Sequence, residues 1–68
     1  MTQVQKVLGH MQEYGSISTM EAFRKFGITR LASRIFDIRR MGIGVEAETV
    51  TYKDQDGETV RYARYSLV

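Results

Sequence analysis

Six basic residues, Arg24, Lys25, Arg30, Arg34, Arg39 and Arg40, crowd between positions 24 and 40 against one acid, Asp37. From Glu46 to Glu58 the balance reverses, to five acids and one lysine. Such asymmetry in a chain of formal net charge +2 marks one face as a candidate polyanion site. Arginine side chains make bidentate contacts with guanine O6 and N7, and a hydroxyl can donate or accept at a base edge. Catalysis finds no comparable set of residues. His10 is the one histidine, and with no cysteine it cannot complete a zinc site. No nucleophile with its base and no phosphate-cradling glycine loop is legible. The chain is therefore not expected to be an enzyme, and no metal or cofactor is expected.

The surrounding pattern supplies the elements that would present these side chains. Thr2 can cap a helix in which Val4, Val7, Leu8, Met11 and Tyr14 recur within an arc of about 120°, a single buried stripe. His10 sits on the edge of that stripe, as a partly exposed structural residue. Gly15 stops the helix, and Ser16-Ile17-Ser18 is long enough only for a bridging strand. Ser18 and Glu21 form a capping box for a second helix, with Met20, Ala22, Phe23 and Phe26 on its apolar side. Gly27 and Ile28 form a corner, and Thr29 is expected to cap a third helix running from about Arg30 to Met41, with Gly42 as its C-cap. Leu31, Ile35 and Ile38 share roughly 60° of that helix. Phe36 falls off this stripe, to pack beneath the following hairpin or to be exposed.

The period then changes to two. Val45 to Lys53 and Thr59 to Leu67 are rich in Val, Thr and Tyr and bound Asp54-Gln55-Asp56-Gly57, a hairpin signal. Helix, glycine turn, helix, hairpin predicts an α+β, mainly α, winged helix-turn-helix with a short strand near Ile17. The 68 residues are expected to form one domain, 1–68. With 43% apolar and 26% charged residues the chain reads as globular. It shows neither an apolar run of the roughly 20 residues that span a bilayer nor a signal-peptide stretch, so a soluble cytoplasmic protein with no membrane partner is expected.

In a helix-turn-helix the second helix of the motif enters the major groove, its N-terminal half deepest. Thr29, Arg30, Ser33, Arg34 and Asp37 occupy those positions. Asp37 can accept from a cytosine amino group, or orient Arg34 or Arg40. Arg24, Lys25, Arg39 and Arg40 are candidates for phosphate, contacts that add affinity without sequence information. Arg39 can instead lie along the core and pair with a hairpin carboxylate. Lys53 and Arg61 can reach the backbone from the hairpin, but three acids at its tip should be repelled, so the wing is expected to brace. Tyr62, Tyr65 and Leu67 on the last strand, with Tyr52 opposite, can close the core or form a partner surface; Tyr65 and Leu67 share one strand face and are expected to close the core, while Tyr62 points to the other.

The run Gly15 to Ala22, then Gly27 to Gly42, with Tyr62-Ala63-Arg64-Tyr65-Ser66-Leu67 at the end, resembles small helix-turn-helix domains of bacteriophages and prophages. That resemblance covers nearly the whole chain. It implies a winged fold, double-stranded DNA as partner with the face from Arg30 to Asp37 as reader, and a role in transcriptional control or in excision and integration. The site of action would be the cytoplasm of a bacterial host, at the nucleoid. Oligomeric state stays open between a monomer and a homodimer or cooperative oligomer on DNA. A second reading is a winged helix turned to protein binding, inhibiting or modulating a host protein through its tyrosines or acidic hairpin.

Overall fold

The computed structural model describes residues 1–68. Its elements, in chain order, are α1 (Gln3–Tyr14), β1 (Ser16–Ser18), α2 (Thr19–Phe26), α3 (Leu31–Arg40), β2 (Val45–Lys53) and β3 (Thr59–Leu67). The strands make one antiparallel sheet in the order β1-β3-β2. Register runs without a bulge from Val45 opposite Leu67 to Lys53 opposite Thr59. This is the three-helix, two-stranded-wing architecture expected, with β1 as the third strand.

Each helix starts where local hydrogen bonding dictates. Thr2 and Ser18 accept from Gln5 N–H and Glu21 N–H, and the Gln5 and Glu21 side chains accept in return from the cap backbones. Both capping boxes satisfy amides that the first turn would otherwise leave bare. At the corner after α2, Gly27 takes the left-handed conformation (φ 65°). Gly27 N–H then reaches Phe23 O, the bond of an αL helix ending, and Ile28 N–H reaches back to Ala22 O. That ending drops Ile28 into the core, where it is 1% exposed.

The third helix departs from expectation at both ends. Thr29 does not cap it: Arg30 is the flanking residue (φ −123°, ψ 58°), with no side-chain cap bond. Arg30 O already accepts from Ser33 N–H and Arg34 N–H, which moves the first turn one residue on. At the C-terminus the helix ends at Arg40 with Met41 as cap, and Gly42 turns left-handed one position later (φ 88°).

Nine residues form the core: Val7, Met11, Ile17, Ala22, Ile28, Leu31, Ile35, Ile38 and Val45. Val4, Leu8, Phe26, Tyr65 and Leu67 pack against it as expected. Tyr14 does not; it is 61% exposed in the last turn of α1, where its ring flanks His10 and Lys25. Met20 and Phe23 also stay half-exposed, because eight residues of α2 bury only Ala22 completely. His10 is more buried than its place on the stripe implied. Its Nδ1–H donates to Ser16 O at 3.1 Å, and its ring meets Tyr14 and Phe26 at centroid distances of 4.7 and 6.0 Å.

Because Ile28 plugs the corner on which the α2–α3 angle depends, Ile28→Ala should cost about 2–5 kcal/mol. Urea unfolding of the two proteins should show the midpoint falling sharply, and a loss below about 1 kcal/mol would be inconsistent with this packing.

Candidate nucleic-acid interface

Burial of Leu31, Ile35 and Ile38 turns the opposite arc of α3 outward. At 100° per residue, Phe36, Arg40, Ser33, Asp37 and Arg30 span about 120° of that arc. Arg34 lies at its edge, towards α1, where its Nη1 donates to Gln3 Oε1 at 3.4 Å. Gln3, Thr29, Arg30, Ser33 and Arg34 together line one wholly polar hollow at the start of α3. The first turn above it has no side-chain acceptor, so its N–H dipoles add to the positive field of the two arginines.

Of the roles open to Asp37, the structure has it beside Arg34, with its Oδ2 3.3 Å from Nε. Arg34 Nε is shielded from solvent and lacks a well-aligned acceptor, so the contact is Coulombic rather than a hydrogen bond. Both side chains are partly exposed, which limits such a pair to less than about 1 kcal/mol. Its consequence is orientation: Arg34 is held between Gln3 and Asp37, across the mouth of the hollow. Arg40 instead lies over the Phe36 ring, its guanidinium carbon 5.8 Å from the centroid.

The remaining candidates do not gather on this face. Lys25 places its ammonium 4.5 Å over the Tyr14 ring, between α1 and α2. Arg24 lines a separate hollow with Tyr52, Tyr62 and Arg64, against the outer side of the sheet. Arg61 lines an apolar groove between α2 and the hairpin that also includes Thr29, so it borders the polar hollow. Lys53 is exposed at the end of β2. Arg39 pairs with no carboxylate: its Nε and Nη2 both donate to Val45 O, at 3.3 and 2.9 Å. A guanidinium fork on one carbonyl fixes the base of the hairpin to the end of α3.

Sequence reasoning did not assign Gln3, Phe36 or the α2–hairpin groove to this region. Phe36 was detectable as the apolar residue off the stripe. Gln3 carried no signal, because its approach to Arg34 depends on how α1 crosses α3. The groove combines Met20 and Phe23 with Val60, Tyr52 and Tyr62, and Tyr52 and Tyr62 meet edge to face at 6.0 Å. No group of three or more His, Asp or Glu side chains converges as a metal site would require.

At the hairpin tip the three acids play different parts. Asp54 Oδ1 accepts from Asp56 N–H and Glu58 N–H, both at 2.9 Å, while Gly57 turns at φ 81°. Asp54 is thus an internal cap for the loop, and Asp56 and Glu58 carry no ion pair. Asp54→Ala should lower stability by about 0.5–1.5 kcal/mol, whereas Asp56→Ala should stay within about 0.5 kcal/mol of the parent. Chemical denaturation of both variants checks this, and equal losses would contradict the division.

No curated protein and no solved structure matches the chain. No helix is long and apolar enough to cross a membrane. The match to known proteins comes from a family described as a winged helix-turn-helix domain, over residues 2–68. With a capped helix pair at a glycine corner, a cationic outward face on α3 and a β-hairpin behind it, the chain belongs to the winged helix-turn-helix family, which points to DNA as its partner.

Proposed function

We propose that residues 1–68 act as one domain that binds double-stranded DNA sequence-specifically, with α3 in the major groove. The observation that carries this reading is the outward arc of α3, where Arg30, Ser33 and Arg40 stand opposite the buried stripe with Arg34 at the edge. Arg30, Ser33 and Arg34 line one polar hollow at the start of α3. Thr29 sits where the motif approaches phosphate. Arg61 would add a backbone contact from the hairpin side. Lys25, Arg24 and Lys53 lie further from this surface and would act mainly through their charge. The acidic tip makes the hairpin a brace rather than a minor-groove reader, since Asp56 and Glu58 would be driven from phosphate.

Together with the resemblance to small phage and prophage domains, this reading favours a transcriptional regulator or an excision and integration factor. It is a binding protein rather than an enzyme, working at the bacterial nucleoid in the cytoplasm. One recognition helix reads only a few base pairs, too few to find a site among about a million competitors. Homodimers on half-sites about 34–36 Å apart, or cooperative arrays, would supply the missing specificity. Sedimentation of the complex on its selected site counts the copies; a lone monomer with high specificity would refute this part.

A second reading rests on a different observation. Met20, Phe23 and Tyr52 leave about half their surface exposed around one groove. Apolar clustering of this kind serves protein contacts, including inhibition or modulation of a host protein. Selection of duplex from a random pool, followed by salt titration, distinguishes the two. DNA binding through the α3 face should give a log–log salt slope of about −0.9 per phosphate, with about three to five phosphates engaged. No duplex affinity even at low salt would remove the leading reading.

Replacing Arg30 or Arg34 with alanine should cost about 1–3 kcal/mol on the selected site and relax its base preference. Lys25→Ala should weaken all sequences alike. Full affinity and unchanged preference in the first two variants would exclude α3 as the reader.

A further inference from the structure

Phe36 is 59% exposed in the middle of α3, one residue after Ile35 at 1%. About 130° of helix separates it from the centre of the buried stripe, placing it on the outward arc beside Arg40 and Ser33. It is not among the residues packed against the core. The other half-exposed rings have neighbours: Phe23 and Tyr52 share the α2–hairpin groove, and Tyr14 holds His10 and Lys25. Phe36 pairs with no other ring and has the Arg40 guanidinium beside it. A ring surrounded by serine, aspartate and arginine is unexplained by folding, since a polar residue at this position would solvate the helix equally well.

We infer that Phe36 is a base-reading residue that packs against the C5-methyl group of a pyrimidine, which in ordinary duplex is thymine. This deepens the proposed DNA reading and rests on it. Among the base edges of the major groove, the thymine methyl is the apolar feature, and side chains such as Phe recognise it by contact. An aromatic ring loses little freedom when it docks, having only two side-chain torsions. Arg40 contributes through its position. Held against the ring face by cation–π attraction, it is directed along the groove floor to the neighbouring base, where its fork suits guanine O6 and N7. The Phe36–Arg40 pair would thus read a thymine and its adjacent guanine as a unit.

Replacing thymine by deoxyuridine removes the methyl and leaves every hydrogen-bonding group in place. In the selected duplex, each thymine is exchanged in turn and titrated with the unmodified protein, Phe36→Ala and Phe36→Leu at one salt concentration. At one thymine the exchange should weaken the unmodified protein about fourfold, the effect of losing one buried methyl-sized group. Phe36→Ala should be indifferent to that exchange, and Phe36→Leu should retain part of the preference. Because Phe36 is outside the core, both variants should melt like the parent. Cytosine and 5-methylcytosine at the same position separate the bases that can carry the methyl. Thymine should bind better than either, and a preference for 5-methylcytosine over thymine would overturn the assignment to thymine. A selected duplex bound without any methyl effect, or with the same effect in Phe36→Ala, overturns the inference and leaves DNA binding intact. A change in sedimentation of the free protein on Phe36→Ala assigns the ring to a protein interface and overturns it as well. Absence of duplex binding overturns this inference and the reading beneath it together.

Discussion

Ser16, Ile17 and Ser18 tie the helical layer to the hairpin through three different interactions at three successive residues. Ser16 gives its carbonyl to His10 on α1, Ile17 puts a fully buried side chain at the centre of the core, and Ser18 caps α2. The same residues pair with Ser66, Tyr65 and Arg64 of β3. Removing this strand would leave α1, α2 and the hairpin without a common reference. The dependence is physical rather than decorative, because a chain this short buries only about 60% of its unfolded surface and has little excess packing to fall back on. From Ser18 the constraint passes to α2, through the Gly27–Ile28 corner to α3, and so to the direction in which Arg30 and Arg34 point.

Much of this chain of constraints was legible in the sequence. Period-two patterning around Asp54–Gly57 placed both long strands at their observed ends, because each alternates and a glycine-bearing turn lies between. The Ser18–Glu21 box was legible because capping is local. Failures came where tertiary geometry decided the outcome. Tyr14 fits the α1 stripe by angle, yet in the last turn its ring flanks His10 and Lys25 and stays outside the core. Arg39 lay within reach of hairpin acids by sequence, but the Val45 carbonyl at the strand's start was nearer and unoccupied by a helix bond. Thr29 has the right chemistry for a cap and the wrong backbone position. In the candidate site, the charges and the local Arg34–Asp37 pairing were legible, whereas the approach of Gln3 to Arg34 required knowing how α1 crosses α3.

Charge counting alone overstates the cationic surface available to a polyanion. Arg34 is shared with Asp37, Arg64 pairs with Glu48 at 3.5 Å, and Arg39 is committed to a carbonyl. Lys25 rests on an aromatic face. Lys6, Arg24, Arg30, Lys53 and Arg61 make no ion pair or cation–π contact, and of these Arg30 and Arg61 border surfaces that include Thr29. The hairpin adds the opposite sign at its far end, with Asp56 and Glu58 unpaired. A field that is positive at the start of α3 and negative at the tip would orient a duplex before any base is read, since exposed charges act over about a Debye length. In this arrangement the register on DNA would be set by the helix, and the wing's sign would limit how far the duplex could tilt towards it.

Thr29 is also the point at which the two proposed functions stop being alternatives. It lines the polar hollow with Arg30 and Ser33, and it lines the apolar groove with Met20, Phe23 and Tyr62. A protein seated in that groove while α3 occupied the major groove would lie against the same duplex. Its contacts and the DNA contacts would then be coupled: ordering Arg30 and Arg61 at the shared edge for one ligand would reduce the cost of ordering them for the other. Coupling free energies of about 1–3 kcal/mol are typical of such neighbouring sites, enough to raise occupancy of a weak site by one to two orders of magnitude. A small reader with a single helix needs assistance of about that size. With both ligands bound, the apolar groove and the cationic hollow would form one functional surface, and the protein contact would add to the selectivity that a few base pairs lack.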